Sequence, residues 1–520
     1  MRTVEDTRVE RRPDTAVAVL AGLATIKLAL HLATNHNYDY FRDELYYIAC
    51  SKHLALGYVD HPPLSIFLLA VVRWTLGESL FAIRLLPAVA GAALVVLAGL
   101  LARALGGGRF AQALAGLSVV IAPVYFAGAD FFSMNVFEPL SWMLAALIVI
   151  RLLNSGDARL WVAFGVVVGF GAENKHSMLF FTFAVMVAVL LTRQRRHLAD
   201  KYLWLGAAVA GLLLLPNLLW QATHGWATLE FMHNARAYKN APVSPGDFVA
   251  QQIVAMHPFT APIWVTGLVA CLGAASWRRY RLLGLTYVVI LVVFIVAQAK
   301  VYYLTPIYPM LLAAGATVIE RCTSRRGWRW LRPASIGVLV VGGAVTAPLT
   351  LPVLPVEMFA RYADALHLND AAKRAPSERQ VLGDLPQYYA DMFGWREMVA
   401  TVAHIYDSLP PDDRAVAAIY ARNYGEAGAL DFFGKAYGLP AAISGHNTYW
   451  LWGPRDFGGA VVITVNVPEA DLARYFESVV QAGATSCRFC MPFENNRPIF
   501  VCRGLKKPLA EIWPELKRFI

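Results

Sequence analysis

Eleven apolar runs, at about 15–34, 82–102, 110–129, 138–153, 160–173, 177–192, 203–221, 258–274, 282–298, 303–319 and 334–351, constrain this chain more than any other feature. A helix needs roughly 20 apolar residues to cross a hydrocarbon core of roughly 30 Å. Most of the runs reach or approach that length. The fifth and sixth are short, so one of them reads as a tilted or re-entrant element. With 57% hydrophobic and 16% charged residues over 520 positions, one soluble globular domain is excluded. Residues 1–14 are too polar and acidic for a signal peptide, and no small-residue cleavage site follows the first run. That run is expected to be a retained helix.

The net charge of +10 would suggest nucleic acid in a soluble protein. Its distribution argues otherwise. Twenty Lys and Arg fall in segments 1–14, 101–109, 151–159, 193–201, 276–281 and 320–332, against seven in the alternate loops: Arg42, Lys52, Arg73, Lys175, Arg236, Lys239 and Lys300. Positive residues favour the cytoplasmic side. The N-terminus is therefore expected inside, the loop at 35–81 outside and, with an odd number of spans, the C-terminus outside. The charge sets topology and implies no nucleic-acid partner.

After Pro352 the composition becomes that of a soluble domain. Alternating patterns at 415–421 and 460–467 read as buried strands, and 471–482 reads as a helix. The expected layout is a cytoplasmic N-terminus at 1–14, a membrane domain at 15–352 with outer loops 35–81 and 222–257, and an extracytoplasmic α/β domain at 353–520. The loop 222–257 is long for a connection and reads as a lid or substrate loop. Asn423 to Ala429 reads as a strand-to-helix turn. The aromatic loop from Ser444 to Pro454 reads either as core packing or as a glycan-contacting surface. Cys50, Cys271 and Cys322 read as small apolar residues. Cys487, Cys490 and Cys502 are expected to give one disulfide and one free thiol, since three thiols cannot make a four-cysteine zinc site.

The chemistry-bearing residues lie in the loops. Tyr40-Phe41-Arg42-Asp43-Glu44-Leu45-Tyr46-Tyr47 puts two carboxylates at the mouth of a membrane bundle, where desolvation is costly. The same loop continues with Tyr58-Val59-Asp60-His61-Pro62-Pro63-Leu64. The next outer loop reads Asp130-Phe131-Phe132-Ser133-Met134-Asn135-Val136-Phe137-Glu138-Pro139, and a late one Ala299-Lys300-Val301-Tyr302-Tyr303-Leu304-Thr305-Pro306. Asp43 can serve as a general base if partial burial beside Glu44 raises its pKa; the competing reading is a helix cap. Lys300 can hold a phosphate oxygen as a point charge, or merely snorkel.

These motifs resemble the GT-C superfamily of membrane glycosyltransferases, in the protein O-mannosyltransferase-like branch that includes the lipid A aminoarabinose transferases. The likeness covers roughly 15–350. It implies a polytopic all-α membrane fold of about eleven helices and transfer of a sugar, with inversion, from a polyprenyl-phosphate-linked donor. The acceptor would be a lipid, protein or glycan at the outer face of the inner membrane, among membrane lipids. By the same resemblance Asp43, with Glu44, is catalytic, and Asp60 and His61 belong to a substrate or metal site. Glu138 orients the acceptor or the base, and Lys300 with Tyr302 and Tyr303 meets the lipid phosphate. Arg84 and Lys175 are weaker candidates for that anion, and Asp130 reads as an ordinary loop-facing acid. His61 stands where aminoarabinose transferases carry Lys, which leaves a divalent ion on Asp60 and His61 open; no other cofactor is expected. The rival reading is a transporter or flippase for a lipid-linked sugar, which would place its charges near the midplane with symmetry between halves. A third is a silent envelope scaffold.

Overall fold

The computed structural model describes residues 15–366 and 378–520; the expected cytoplasmic N-terminus at 1–14 lies outside them. Each of the eleven apolar runs is mainly helical. Among the described residues seven helices are long and apolar enough to cross a membrane alone: Val17–Thr34, Leu80–Ala104, Met134–Ser155, Lys201–Thr223, Ala275–Val296, Val301–Cys322 and Arg326–Thr350. Two bent pairs, Ser177–Leu191 with Arg193–Ala199 (109°) and Pro245–Ala255 with Pro258–Gly273 (95°), raise the number to nine. Arg109–Ile121 and Leu160–Asn174 are too short to span unaided. Run 110–129 is broken because Ala122 is extended ahead of Pro123, which restarts the helix as Pro123–Ala127.

Helices approach closely where glycine removes the side chain. A Cβ on Gly165 would collide with the Gly206 carbonyl, and one on Gly206 with Trp161, so Leu160–Asn174 and Lys201–Thr223 cross nearly backbone to backbone. The outer loop 35–81 is not irregular. It folds as Arg42–Lys52 and the apolar helix Leu64–Leu76. The loop 222–257 likewise holds the helices Ala227–Asn234 and Pro245–Ala255, joined through a π turn at Ala235–Lys239.

Beyond the last long helix the chain forms a four-stranded sheet of β1 (Ala417–Ala421), β2 (Val461–Val465), β3 (Phe476–Ala484) and β4 (Pro498–Leu505), in the order β1-β2-β4-β3. β1 and β2 run parallel; β4 is antiparallel to both β2 and β3. Side chains alternate between faces. Ile419, Ala421, Ile463, Val465 and Val501 share one core with Leu45, Tyr46 and Ile48 of the first outer loop. Ala418, Val462, Phe500 and Cys502 face the other way, onto Leu472, Leu509 and Ile512.

Two expectations fail here. Residues 471–482 are not one helix: the helix Glu469–Tyr475 ends at Phe476 and the chain continues as the edge strand β3. The β-branched pair Val479-Val480 and pairing with β4 outweigh the helical spacing. Nor is a disulfide formed, as all six cysteines are free. Cys490 N–H donates to Cys487 Sγ (3.1 Å), and Cys502 lies buried in β4, away from both in the fold.

Candidate functional site

The helix Arg42–Lys52 places the two acidic residues of the opening motif on different sides. Glu44 caps the helix: its Oε2 accepts from Phe41 N–H (2.8 Å). The same carboxylate accepts from Phe132 N–H (2.8 Å) and from Arg84 Nη2 (2.8 Å) and Nε (3.0 Å), with neither side chain exposed. Arg84 spends its other N–H groups on the carbonyls of Asn35 and Asp39, each at 2.8 Å. Glu44 and Arg84 therefore form a closed clamp. The phosphate role expected of Arg84 is not supported, and Glu44 positions the helix, with no route to a reacting atom.

Because Glu44 does the capping, Asp43 is free for another task. Its Oδ1 accepts from the Tyr424 hydroxyl (2.9 Å), a residue 381 positions later. That approach depends on the helix Tyr424–Phe433, which Asn423 starts by accepting from Gly425 and Glu426 N–H. A Cβ on Gly428 would meet the Leu45 backbone at 2.9 Å, and one on Gly425 the Arg42 side chain at 2.6 Å. Two small residues thus let this helix lie on Arg42–Lys52 and set Tyr424 over the carboxylate.

Burial raises the Asp43 carboxyl above its usual range, and Asp60 adds to it; Arg42, the Tyr424 hydrogen bond and Lys239 pull the other way. The expected influence of Glu44 on this group is missing because Arg84 neutralises it. Asp60 accepts from the Tyr46 hydroxyl (2.8 Å), which also lies 2.7 Å from the Thr448 hydroxyl. Thr448 and Tyr449 are buried against the first outer loop, so the aromatic loop serves as packing.

His61 is fully buried among Tyr46, Tyr47 and Tyr58, with ring centroids at 5.8, 4.6 and 4.8 Å. Its Nδ1 faces the Pro62 carbonyl (3.2 Å), and its Nε2 has no hydrogen-bond partner and stands 3.9 Å from Asp60 Oδ1. Burial pushes its pKa down, so the ring is neutral and shut away from a lipid phosphate. The metal alternative fits poorly: among the described residues no third His, Cys, Asp or Glu joins Asp60 and His61 in a ligand group.

Cations converge from two other segments. Lys300 Nζ donates to Glu378 Oε1 (2.6 Å), and Lys239 Nζ lies 3.9 Å from the same oxygen. Burial opposes the Lys300 charge, but Glu378 outweighs it, and Tyr303 and Asp43 add to the rise in its pKa. Burial, Lys300 and Arg42 together depress Lys239 despite Glu378 and Asp43. Burial works against the Glu378 charge, yet Lys239 and Lys300 bring its pKa down to about 2. Asp43 acts electrostatically on both lysines, so this carboxylate and the two cations belong to one charged cluster. Tyr302 and Tyr303 stand edge to face at 4.8 Å, with Lys175 4.4 Å from the Tyr303 ring centroid.

Lys175 is not a free anion ligand. It donates to Glu138 Oε2 (2.6 Å) and Asn135 Oδ1 (2.8 Å), and the Ser177 hydroxyl holds the other Glu138 oxygen. Glu138 is thereby committed to a buried pair, and the acceptor-orienting role expected of it has no open oxygen behind it. Asp130 is buried, not loop-facing: His31 Nδ1 lies 3.7 Å from its Oδ1, and burial raises its pKa well above the ordinary range. The sequence reading missed Tyr424, Lys239, Glu378 and Arg42 as site residues. Arg42 stood inside a quoted motif, Lys239 inside the expected substrate loop and Tyr424 inside the turn from Asn423 to Ala429, whereas nothing local marked Glu378.

The sequence and the multi-pass helical fold are similar to those of GT-C membrane glycosyltransferases. Residues 60–220 match the family described as dolichyl-phosphate-mannose-protein mannosyltransferase. The chain is 26% identical over 272 residues to the lipid A galacturonosyltransferase RgtD of Rhizobium johnstonii, covering 51% of this chain and 57% of that one. To the lipopolysaccharide core galacturonosyltransferase RgtB of the same organism it is 29% identical over 213 residues, 39% and 41% of the two chains. The matches thus span about half the length of these relatives. Among solved structures, ArnT from Cupriavidus metallidurans superposes with TM-score 0.62 at 18% identity, over 93% of this chain and 97% of that one. The ArnT structure bound to undecaprenyl phosphate gives 0.62 at 17%. At such identities the likeness shows the fold.

Proposed function

We propose that this protein transfers a sugar, with inversion, from a polyprenyl-phosphate-linked donor to an envelope glycolipid at the outer face of the inner membrane. The observation that carries the reading is the meeting of Asp43, Lys239 and Lys300 at one mouth of the bundle. Asp43 takes the proton of the acceptor hydroxyl as the oxygen attacks the anomeric carbon. The raised pKa makes it a better base than an exposed carboxylate, and Tyr424 holds its orientation. The bond to the donor phosphate breaks, and the phosphate leaves with the electron pair. Lys239 and Lys300 balance its charge. Glu378 keeps the two ammonium groups together before the donor arrives, and the phosphate takes its place between them.

ArnT with bound undecaprenyl phosphate supports a lipid-phosphate donor, and the galacturonosyltransferase relatives support lipid A or core saccharide as acceptor. On this reading eleven membrane segments put residues 353–520 outside, above the mouth. The clustering of charged residues at that mouth speaks against a transporter, which would hold them near the midplane.

The test is mass spectrometry of polyprenyl phosphates and envelope glycolipids from cells with and without the gene. One lipid-linked sugar should accumulate, and the same sugar should vanish from one glycolipid. The same loss from the glycolipid with the lipid-linked sugar trapped on the cytoplasmic side would replace the transferase with a flippase, and unchanged glycolipids would remove the transferase reading.

A further inference from the structure

The catalytic mouth uses one face of the sheet. On the opposite face lies a cleft of about 310 Å³, lined among others by Val462, Leu472, Leu509 and Ile512 on its apolar side. That volume sits at the lower end of small-ligand sites, roughly 300–1,000 Å³. Tyr420, Arg422 and Arg518 also line it. Arg422 spends one N–H on the Asn466 carbonyl (3.2 Å), and among the described residues neither Arg422 nor Arg518 has a carboxylate partner. Elsewhere in the same region guanidinium groups do find acids, as in Arg503 with Asp413 (2.7 Å) and Arg396 with Asp39 (2.6 Å). The one acid lining the cleft, Asp471, leans toward Arg474 at 4.0 Å. Burial and then the nearby Arg422 lower the Arg518 pKa, while Tyr420 and Glu426 favour its charge.

A second observation points to a ligand. Thr464 lines the cleft and is buried, and its hydroxyl has no nitrogen or oxygen partner, with only the Cys502 sulfur, a weak acceptor, beside it. A buried hydroxyl left unpaired costs about 1–3 kcal/mol, and a polar atom of the ligand would satisfy it. Lys517 pairs with Glu230 of the helix Ala227–Asn234 (2.6 Å), which exposes Leu229 and Met232.

We infer that this cleft is a second binding site, which holds the acidic headgroup of the acceptor glycolipid while its sugar chain reaches Asp43. The inference rests on the glycolipid acceptor proposed above. A phosphate or carboxylate meets Arg422 and Arg518, and the apolar part of the ligand lies along Val462, Leu472, Leu509 and Ile512. No bond is made or broken there.

The test uses the full-length protein in detergent, with bisphosphorylated lipid A and the same lipid enzymatically dephosphorylated as probes. Wild type should bind the phosphorylated probe at least tenfold more tightly. Arg422→Gln with Arg518→Gln should erase that preference and raise the acceptor KM about tenfold, with a much smaller change in kcat. Thr464→Val, which removes one hydroxyl at nearly constant volume, should weaken binding about threefold with no loss of thermal stability. Equal affinity of wild type for both probes, or an unchanged preference in the double variant, overturns the cleft site. Retained preference without sugar transfer leaves the cleft standing and removes the transferase reading instead.

Discussion

Asp43 and Glu44 are neighbours in sequence and opposites in surroundings. Glu44 has a closed set of partners, Arg84 and two backbone N–H groups, and Arg84 closes in turn on two carbonyls. Glu138 with Lys175 repeats the pattern deeper in the bundle. Around Asp43 the sets stay open. One tyrosine holds one oxygen, and two lysines share a single glutamate oxygen. Closed sets make rigid walls, and open sets leave room for a substrate to complete them. The contrast assigns the clamp to architecture and the mouth to chemistry.

The sharpest way to break the contrast is to open a closed set. Arg84→Ala leaves the Glu44 charge buried and unpaired, which costs about 3–5 kcal/mol. Thermal unfolding in detergent should show a large drop in midpoint or no folded protein. A stable Arg84→Ala protein with weakened donor binding would move Arg84 to the phosphate site and erase the distinction.

Next in size, Lys300→Ala should weaken binding of a polyprenyl-phosphate donor about 10- to 100-fold, the loss expected for one charge-assisted contact of about 1.5–3 kcal/mol. Lys300→Arg should retain most of the affinity, and Lys239→Ala should lose less than Lys300→Ala. Unchanged affinity in Lys300→Ala would make the lysine a snorkelling anchor.

Much of this was readable from residues near one another. The pair Asp43-Glu44 and the Asp60-His61 turn lie between two long apolar helices, and the Lys300-Tyr302-Tyr303 motif lies at the start of a later one. Which acid of the pair is free was not readable, because the answer depends on Arg84, forty residues away. The site roles of Tyr424 and Glu378 were unreadable for the same reason, since Tyr424 meets Asp43 from 381 positions away and Glu378 meets Lys300 from 78. The strand at 476–484 was misread because its exposed edge carries little of the alternation that marks a buried strand.

A subtler effect concerns pH. Activity needs the Asp43 carboxylate, so it should fall as pH drops through the raised pKa of that group. Tyr424→Phe removes a hydrogen bond that favours the charged form. The acidic limb of the rate profile should therefore move to higher pH, with near-normal rates well above it. A limb that stays in place would show that another group sets it. Smallest of all, Glu378→Gln frees both lysines from a competing carboxylate and should tighten donor binding by about threefold, roughly 0.6 kcal/mol. Weaker binding would show that Glu378 organises the lysines more than it competes for them.

The central claim is that Asp43 removes the acceptor proton while the lysines hold the donor. Its most direct test is donor binding and single-turnover transfer measured side by side on purified Asp43→Asn. The substitution keeps the volume and the contact with Tyr424 but removes the base. The account predicts donor affinity within about twofold of wild type and a transfer rate lower by about 10²- to 10⁴-fold, the range of general-base catalysis. Transfer at the wild-type rate would contradict it.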